Sequence, residues 1–183
     1  MAELQDAEII IIGGGIVGCS IAYQLSRMGK KNVLVLEKSG LTYGSTWHAA
    51  GLLPLFNMSY SVGQIHKYSV NLYRSLQEET GLNPGLSQVS NIRLATNRDR
   101  MDEYLQYAGV AETIGVEVER LTPEEVIDIW PLAVTDGLIG AIRHPDDGYV
   151  QPADLTQALA KGCLLYTSDA ADEGLGVDLG GRR

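Results

Sequence analysis

The hydrophobic pattern changes period repeatedly along the chain. Ile9–Ile10–Ile11–Ile12 is a run of β-branched residues too short for a helix, and it predicts a buried parallel strand. Over Cys19 to Met28, Ile21, Ala22, Leu25 and Met28 share one helical face, and Gly29 is placed to cap that helix. Val33–Leu36 predicts a second strand that ends at Glu37. Val62, Ile65, Tyr68, Leu72 and Leu76 mark one face of a longer helix ended by Gly81, with His66 beside the stripe as a surface or packing residue. Asn83–Pro84–Gly85 is a turn. Ile92, Leu94 and Thr96 alternate as a strand facing one way.

The later chain mixes the two periods. Met101, Tyr104, Leu105, Ala108 and Ala111 predict a second amphipathic helix, stopped at Gly115, and Val116 and Val118 suggest a strand. Thr122–Pro123–Glu124–Glu125 is a helix start, with a capping Thr, Pro at the first position and Glu at the third. Leu138 to Arg143 reads as a strand and Pro145–Asp146–Asp147–Gly148 as a turn. The two aspartates have no further ligand spacing around them, so a turn is favoured over a metal site. A final helix, Pro152 to Lys161, turns Leu155, Ala158 and Leu159 inward.

Composition narrows the class. The 183 residues are 45% hydrophobic and 20% charged, which supports a sizeable core and excludes a disordered or disulfide-stapled chain. Fourteen Lys and Arg against 23 Asp and Glu argue against non-specific nucleic-acid binding. No apolar run reaches the roughly 20 residues of a membrane span. Met1 to Glu8 lacks a basic or Arg-rich leader pattern, and two cysteines fit a reducing compartment, so a cytoplasmic location is expected.

The chemistry sits early. Gly13–Gly14–Gly15–Ile16–Val17–Gly18 is a G-x-G-x-x-G between the first strand and the first helix. Gly13 suits a tight turn, Gly15 allows a pyrophosphate to approach the backbone, and Gly18 allows close helix–sheet packing. The helix N-terminus offers unpaired N–H groups to phosphates. Glu37, 19 residues after Gly18, is an acceptor for a ribose hydroxyl and disfavours a 2′-phosphate. Strand, glycine turn, helix, strand and acid together predict dinucleotide binding, without deciding between FAD and NAD.

The deciding stretch is Gly44–Ser45–Thr46–Trp47–His48–Ala49–Ala50–Gly51–Leu52. Ser45 and Thr46 can donate to phosphate oxygens, and the small residues permit close approach of a flat ring. Here the chain resembles the dimethylglycine/sarcosine dehydrogenase branch of the D-amino-acid-oxidase-type flavoproteins, over Glu8 to Gly162. Leu76–Gly81, Ile92–Thr96 and Asp147–Gly148 followed by Pro152 echo the same family. The resemblance implies an α/β fold: a Rossmann-type βαβ FAD-binding domain interrupted by the start of an α+β substrate domain. Residues 1–86 would be the first FAD-binding segment, 87–148 the partial substrate domain and 149–162 a helix returning to the first.

The resemblance also implies that Gly13, Gly14, Gly15, Ile16, Val17, Gly18, Glu37, Lys38, Gly44, Ser45, Thr46, His48, Ala49, Gly51 and Leu52 bind FAD, with His48 joined covalently to the flavin 8α-methyl group. The implied reaction is oxidation of an N-methylated amine or amino acid by hydride transfer to the flavin. Oxygen or an electron-transfer flavoprotein would accept the electrons, and a tetrahydrofolate step would belong to sequence beyond Gly162. Another flavoprotein of the same fold, a non-catalytic regulatory relative and an NAD-binding protein are the competing readings. Nothing in the sequence selects a catalytic base, Tyr60, Tyr68 and Arg93 included.

Cys163 to Arg183 is set apart. It resembles a translated transposon-end adaptor from sequencing-library preparation: tgt-ctc-tta-tac-aca-tct encodes Cys163 to Ser168, and the adaptor's later bases account for the rest around a variable index. Without its four acids and two arginines, 162 residues carry a charge of −7 and one cysteine. The chain then represents a third or less of a flavoenzyme and is expected to be inactive alone.

Overall fold

The computed structural model describes residues 6–168. Ile9–Ile12 (β1) and Val33–Leu36 (β2) pair in parallel, with Ile9 opposite Val33 and Ile12 opposite Leu36. Parallel neighbours need a crossover, and Ile16–Arg27 (α1) supplies it. The expectation of a fully buried strand is corrected. Ile11 is buried, while Ile10 and Ile12 are 56% and 87% exposed. Strand side chains alternate between faces, and among the described residues α1 covers one face of this pair.

The buried face of α1 is also offset from its predicted stripe. Cys19, Ala22, Tyr23 and Ser26 are buried with Gly18, whereas Ile21 and Met28 are exposed. That face is buried because a second helix, Pro152–Ser168 (α5), packs against α1. A Cβ on Gly162 would stand 2.6 Å from the Tyr23 ring. Tyr23 brings its polar tip with it, and its hydroxyl bonds the Glu79 carboxylate at 2.8 and 2.9 Å.

The α5 helix passes Lys161, its predicted end, and buried Gly162 continues the inward stripe of Leu155, Ala158 and Leu159 with half-buried Cys163 beside it. The first residues of the adaptor-like segment are therefore helical, and 169–183 lie outside the described residues.

The chain divides into two compact units. One gathers the described residues of Met1–Gly51, Tyr73–Gly85 and Val150–Arg183; the other takes Leu52–Leu72 and Leu86–Tyr149. The expected first segment, 1–86, is thus itself split. Residues 52–72 leave it because Leu53, Leu55, Phe56 and Val70 bury their side chains in the second unit's core. The helix Tyr60–Thr80 (α2) contributes to both units.

The second unit holds two antiparallel sheets. Gly148–Tyr149 (β8) pairs with Leu52–Leu53 (β3) and with Ser87–Gln88 (β4). Gly140–His144 (β7) lies between Asn91–Ala95 (β5) and Glu119–Leu121 (β6). The long helix Arg98–Ile114 (α3) starts on an Asn97 cap and ends at left-handed Gly115. The short helix Pro123–Ile129 (α4) starts with the predicted capping box, Thr122 with Glu125.

Two faces differ from the sequence pattern in this unit. On β5, Ala95 is buried and Leu94 partly exposed, so the core side is that of Arg93 and Ala95. In a period-two strand, choosing the other parity inverts every side chain. On α2, Ile65 and Tyr68 are exposed and Gly63 and Val70 buried, because a glycine at 63 lets Ile114 come close. The core gathers on Tyr107, Ala111, Ile114 and Ile142.

Candidate functional site

The glycine loop is built by backbone bonds that bend the chain sharply after β1. Gly13 donates to the Leu36 carbonyl at 2.8 Å, and Gly13 has φ +110, a conformation that L side chains rarely adopt. Gly18 packs so close beneath it that a Cβ there would collide with the Gly13 carbonyl oxygen. Nothing lies within 4 Å of where a Gly13 Cβ would stand, so the loop keeps a side-chain-free outer surface. Val17, in the first turn of α1, is 69% exposed, and its N–H has no intrahelical acceptor by position. These features fit a pyrophosphate group.

Glu37 closes the loop from the end of β2. Its Oε2 accepts from Gly14 N at 2.7 Å and its Oε1 from Ser39 N at 3.0 Å. The Gly14 amide is the main cause that holds its carboxyl below the ordinary Glu range, with the Ser39 amide next. Charged at neutral pH, each oxygen retains a second lone pair for a hydroxyl. The glycine loop thus holds the acid in a fixed orientation.

Ser45–His48 forms a single 3-10 turn. Thr46 is buried, and its Oγ1 accepts from Ile16 N at 2.9 Å. This alters two expectations. The Ile16 amide is engaged by a protein oxygen, and Thr46 pins its turn to the start of α1. Its hydroxyl proton is still available to donate. Ser45 is exposed beside it, as are Gly44, Ala49 and Lys38.

His48 is exposed, and its Nδ1 lies 3.2 Å from the Gly44 carbonyl. A carbonyl only accepts, so Nδ1 carries the proton and Nε2 holds the free lone pair. Gly51 ends this unit's part of the motif, its carbonyl accepting from Val150 N at 2.9 Å. Leu52 belongs to the other unit, on β3, and is 70% exposed.

Sequence reasoning missed Thr42. It is buried, has φ +75, donates its N–H to the Gly14 carbonyl at 3.0 Å and accepts from Trp47 N at 3.1 Å. Thr42 thereby ties the glycine loop to the His48 turn. No composition signal marks a threonine in the left-handed region.

The open candidates in the other unit resolve differently. Tyr60 and Tyr68 are exposed, while the Arg93 guanidinium stacks 4.3 Å from the centre of the Phe56 ring. Asp147 is buried with one oxygen on Leu55 N. Among the described residues no cluster of His, Cys, Asp and Glu is disposed to hold a metal ion, and no helix is long and apolar enough to cross a membrane.

Comparison with known proteins adds the lineage. The family model described as FAD dependent oxidoreductase matches residues 8–166. The rat protein named dimethylglycine dehydrogenase, mitochondrial, is 42% identical over 160 residues, 87% of this chain and 19% of that protein. The 4-methylaminobutanoate oxidase (formaldehyde-forming) of Paenarthrobacter nicotinovorans is 38% identical over 83% of this chain and 18% of its own length. Among solved structures, L-proline dehydrogenase from P. horikoshii superposes with a TM-score of 0.81 at 30% identity, over 88% of this chain and 42% of that one. The chain therefore spans about a fifth of the length of these two curated relatives.

Proposed function

Because the chain belongs to the family of FAD-dependent oxidoreductases, we propose that it is the FAD-loop portion of a flavoenzyme that oxidises N-methylated amines or amino acids. The glycine loop of residues 13–18 and Glu37 hold the adenosine and pyrophosphate of FAD, and His48 carries the flavin covalently. The observation that carries this reading is a convergence of three distant segments. Gly14 bonds Glu37, Ile16 bonds Thr46, and Thr42 joins Gly14 to the turn that presents His48.

Bound flavin supplies the two-electron acceptor for a hydride leaving the N-methyl carbon. This chain's residues prepare for it. The first turn of α1 favours the phosphates electrostatically. Glu37 orients the ribose. The Gly44 carbonyl fixes the His48 tautomer, so that Nε2 is the ring nitrogen free to bond carbon. The substrate class draws support from the names of the rat and Paenarthrobacter relatives. Oxygen or an electron-transfer flavoprotein would take the electrons onward, and oxygen uptake during turnover separates the two. Any tetrahydrofolate step rests on sequence outside this chain.

The covalent assignment has a direct test. Protein loaded with FAD and then denatured in acid should keep its yellow colour, and His48→Ala should release flavin into the supernatant. Wild-type flavin that washes free refutes the link. Absence of any bound flavin refutes the cofactor reading itself.

A further inference from the structure

The stretch between Glu37 and the His48 turn lies on the glycine loop, and every residue involved belongs to the first unit. Three successive loop residues meet it. Gly14 is gripped at both of its backbone groups: its N–H donates to Glu37 Oε2 at 2.7 Å, and its carbonyl accepts from Thr42 N at 3.0 Å. A Cβ on Gly14 would stand 2.6 Å from Leu41 Cδ2, and one on Gly15 would stand 2.8 Å from Thr46 Oγ1. Ile16 N donates to that same Thr46 oxygen at 2.9 Å.

Two features go beyond ordinary loop packing. Gly15 has φ −86 and ψ −173, an extended conformation open to any residue. Its backbone does not require glycine, and the space a side chain would fill belongs to Thr46. The second feature is Thr42, which is buried and has φ +75, where a β-branched side chain is an outlier. Such strain persists only where the surroundings over-determine it. Here they do, because the Thr42 N–H is spent on Gly14 and its carbonyl accepts from Trp47 N at 3.1 Å. Both bonds belong to the main chain, so what Thr42 supplies is a conformation: its N–H meets the loop while its carbonyl meets the turn.

We propose that Thr42 is a positioning residue for His48: in its left-handed conformation it seats the Ser45–His48 turn on Gly14 and Gly15, and so fixes the imidazole before any cofactor arrives. The seat acts on His48 through the turn. Thr42 holds Trp47 N and Thr46 holds Ile16 N, and His48 Nδ1 then lies 3.2 Å from the Gly44 carbonyl. A turn released from the loop no longer keeps that carbonyl in one place, and the ring then exchanges between its tautomers. Only the functional consequence rests on the flavin reading above: a preset ring has less freedom to lose on meeting the flavin.

The test uses the whole 183-residue chain. Without cofactor, nitrogen NMR near pH 8, where imidazole is neutral, reads the His48 tautomer, its signals identified by their loss in His48→Gln. Hydrogen exchange follows the Trp47 amide in the same samples. With FAD as the probe, the share of bound flavin that resists acid is then measured. Thr42→Pro removes the N–H and cannot reach positive φ. It should abolish the Nδ1–H preference, raise Trp47 exchange about tenfold and lower the acid-resistant share severalfold. Thr42→Gly adopts φ +75 without a side-chain penalty and should keep all three readouts at wild-type values. Should Thr42→Pro fail to fold, Gly15→Ala pushes on Thr46 from the loop side and should show the same losses.

Thr42→Pro, or Gly15→Ala in its place, with the wild-type tautomer overturns the inference. So does Thr42→Gly losing the tautomer as fully, since the effect would then belong to the side chain, and so does a wild-type His48 with no Nδ1–H preference. Wild-type flavin that all washes out in acid overturns the covalent reading alone, because tautomer and exchange still decide the seat.

Discussion

Replacing Gly18 by alanine sets two effects of opposite sign against each other. Gly18 lies in the first turn of α1. Helix propensity alone makes Gly18→Ala a gain of about 1 kcal/mol, because alanine loses less backbone entropy than glycine. The structure opposes this. The new Cβ would enter the Gly13 carbonyl oxygen more than an ångström inside the 3.0 Å limit of real Cβ contacts, and would stand 3.1 Å from the Gly13 carbonyl carbon. The obstacle is backbone, and Gly13 is tethered by its N–H to Leu36 at 2.8 Å, so it cannot rotate away as a side chain would.

Overpacking of this kind costs about 1–3 kcal/mol, and the rigid obstacle favours the upper end. Set against the propensity gain, a net loss of about 2 kcal/mol is expected. Gly109 is the control. It sits inside α3 with nothing within 4 Å of its would-be Cβ, so Gly109→Ala should gain about 0.5–1 kcal/mol. Urea denaturation followed by far-ultraviolet circular dichroism compares both with wild type. A Gly18→Ala chain as stable as wild type, or more stable, would refute the close-packing argument for the glycine loop.

Two buried groups make opposed pH predictions. Burial is the main cause that lowers His144 to about 4, helped by the Arg93 charge, and burial also raises Asp147 to about 6. The His144 contribution to stability is present above the unfolded value of 6.5 and is lost as pH falls toward 4. The Asp147 contribution is present below its unfolded value of 3.8 and is lost as pH rises through 6. Between pH 4 and 6 the two slopes cancel in the wild type. Asp147→Asn should unmask a loss of stability on acidification, and His144→Gln a gain. Parallel denaturation series at pH 4.5 and 6.5 that show no divergence between the variants would contradict this. Tyr23→Phe deletes the bond to Glu79 and should cost about 1–2 kcal/mol. In that background Glu79→Gln should add little, and full additivity in the double-mutant cycle would deny the coupling.

The glycine spacing, the strands flanking it and the acid at the end of β2 were legible because each is a local signal. A tight turn needs φ freedom at Gly13, a βαβ unit needs its hydrophobic periods in order, and Glu37 follows at a set distance. The capping box at Thr122 and the left-handed cap at Gly115 were readable for the same reason, since each involves only near neighbours. The motif containing His48 was legible as a pattern of residue types, but its geometry was not. That Thr46 engages the Ile16 amide, or that Thr42 bridges the loop and the turn, depends on residues tens of positions apart meeting in space.

The misplaced faces have one physical origin. Periodicity states that a helix or strand has two sides, and packing partners decide which side is buried. On α1, approach by α5 selects the face of Cys19, Ala22 and Tyr23 over that of Ile21 and Met28. On β5, pairing with β7 under α3 turns Arg93 and Ala95 inward. Ile10 and Ile12 read as core by residue type, yet among the described residues no element covers their side of the two-stranded sheet. The bond between Asp147 and the Leu55 amide lies furthest from sequence reading. Asp147 looked like an ordinary turn residue, and its burial arises only where α3, β7 and the segment after β3 close around it. Local chemistry is written in residue order; burial and polar partnership depend on which distant segments the fold brings together.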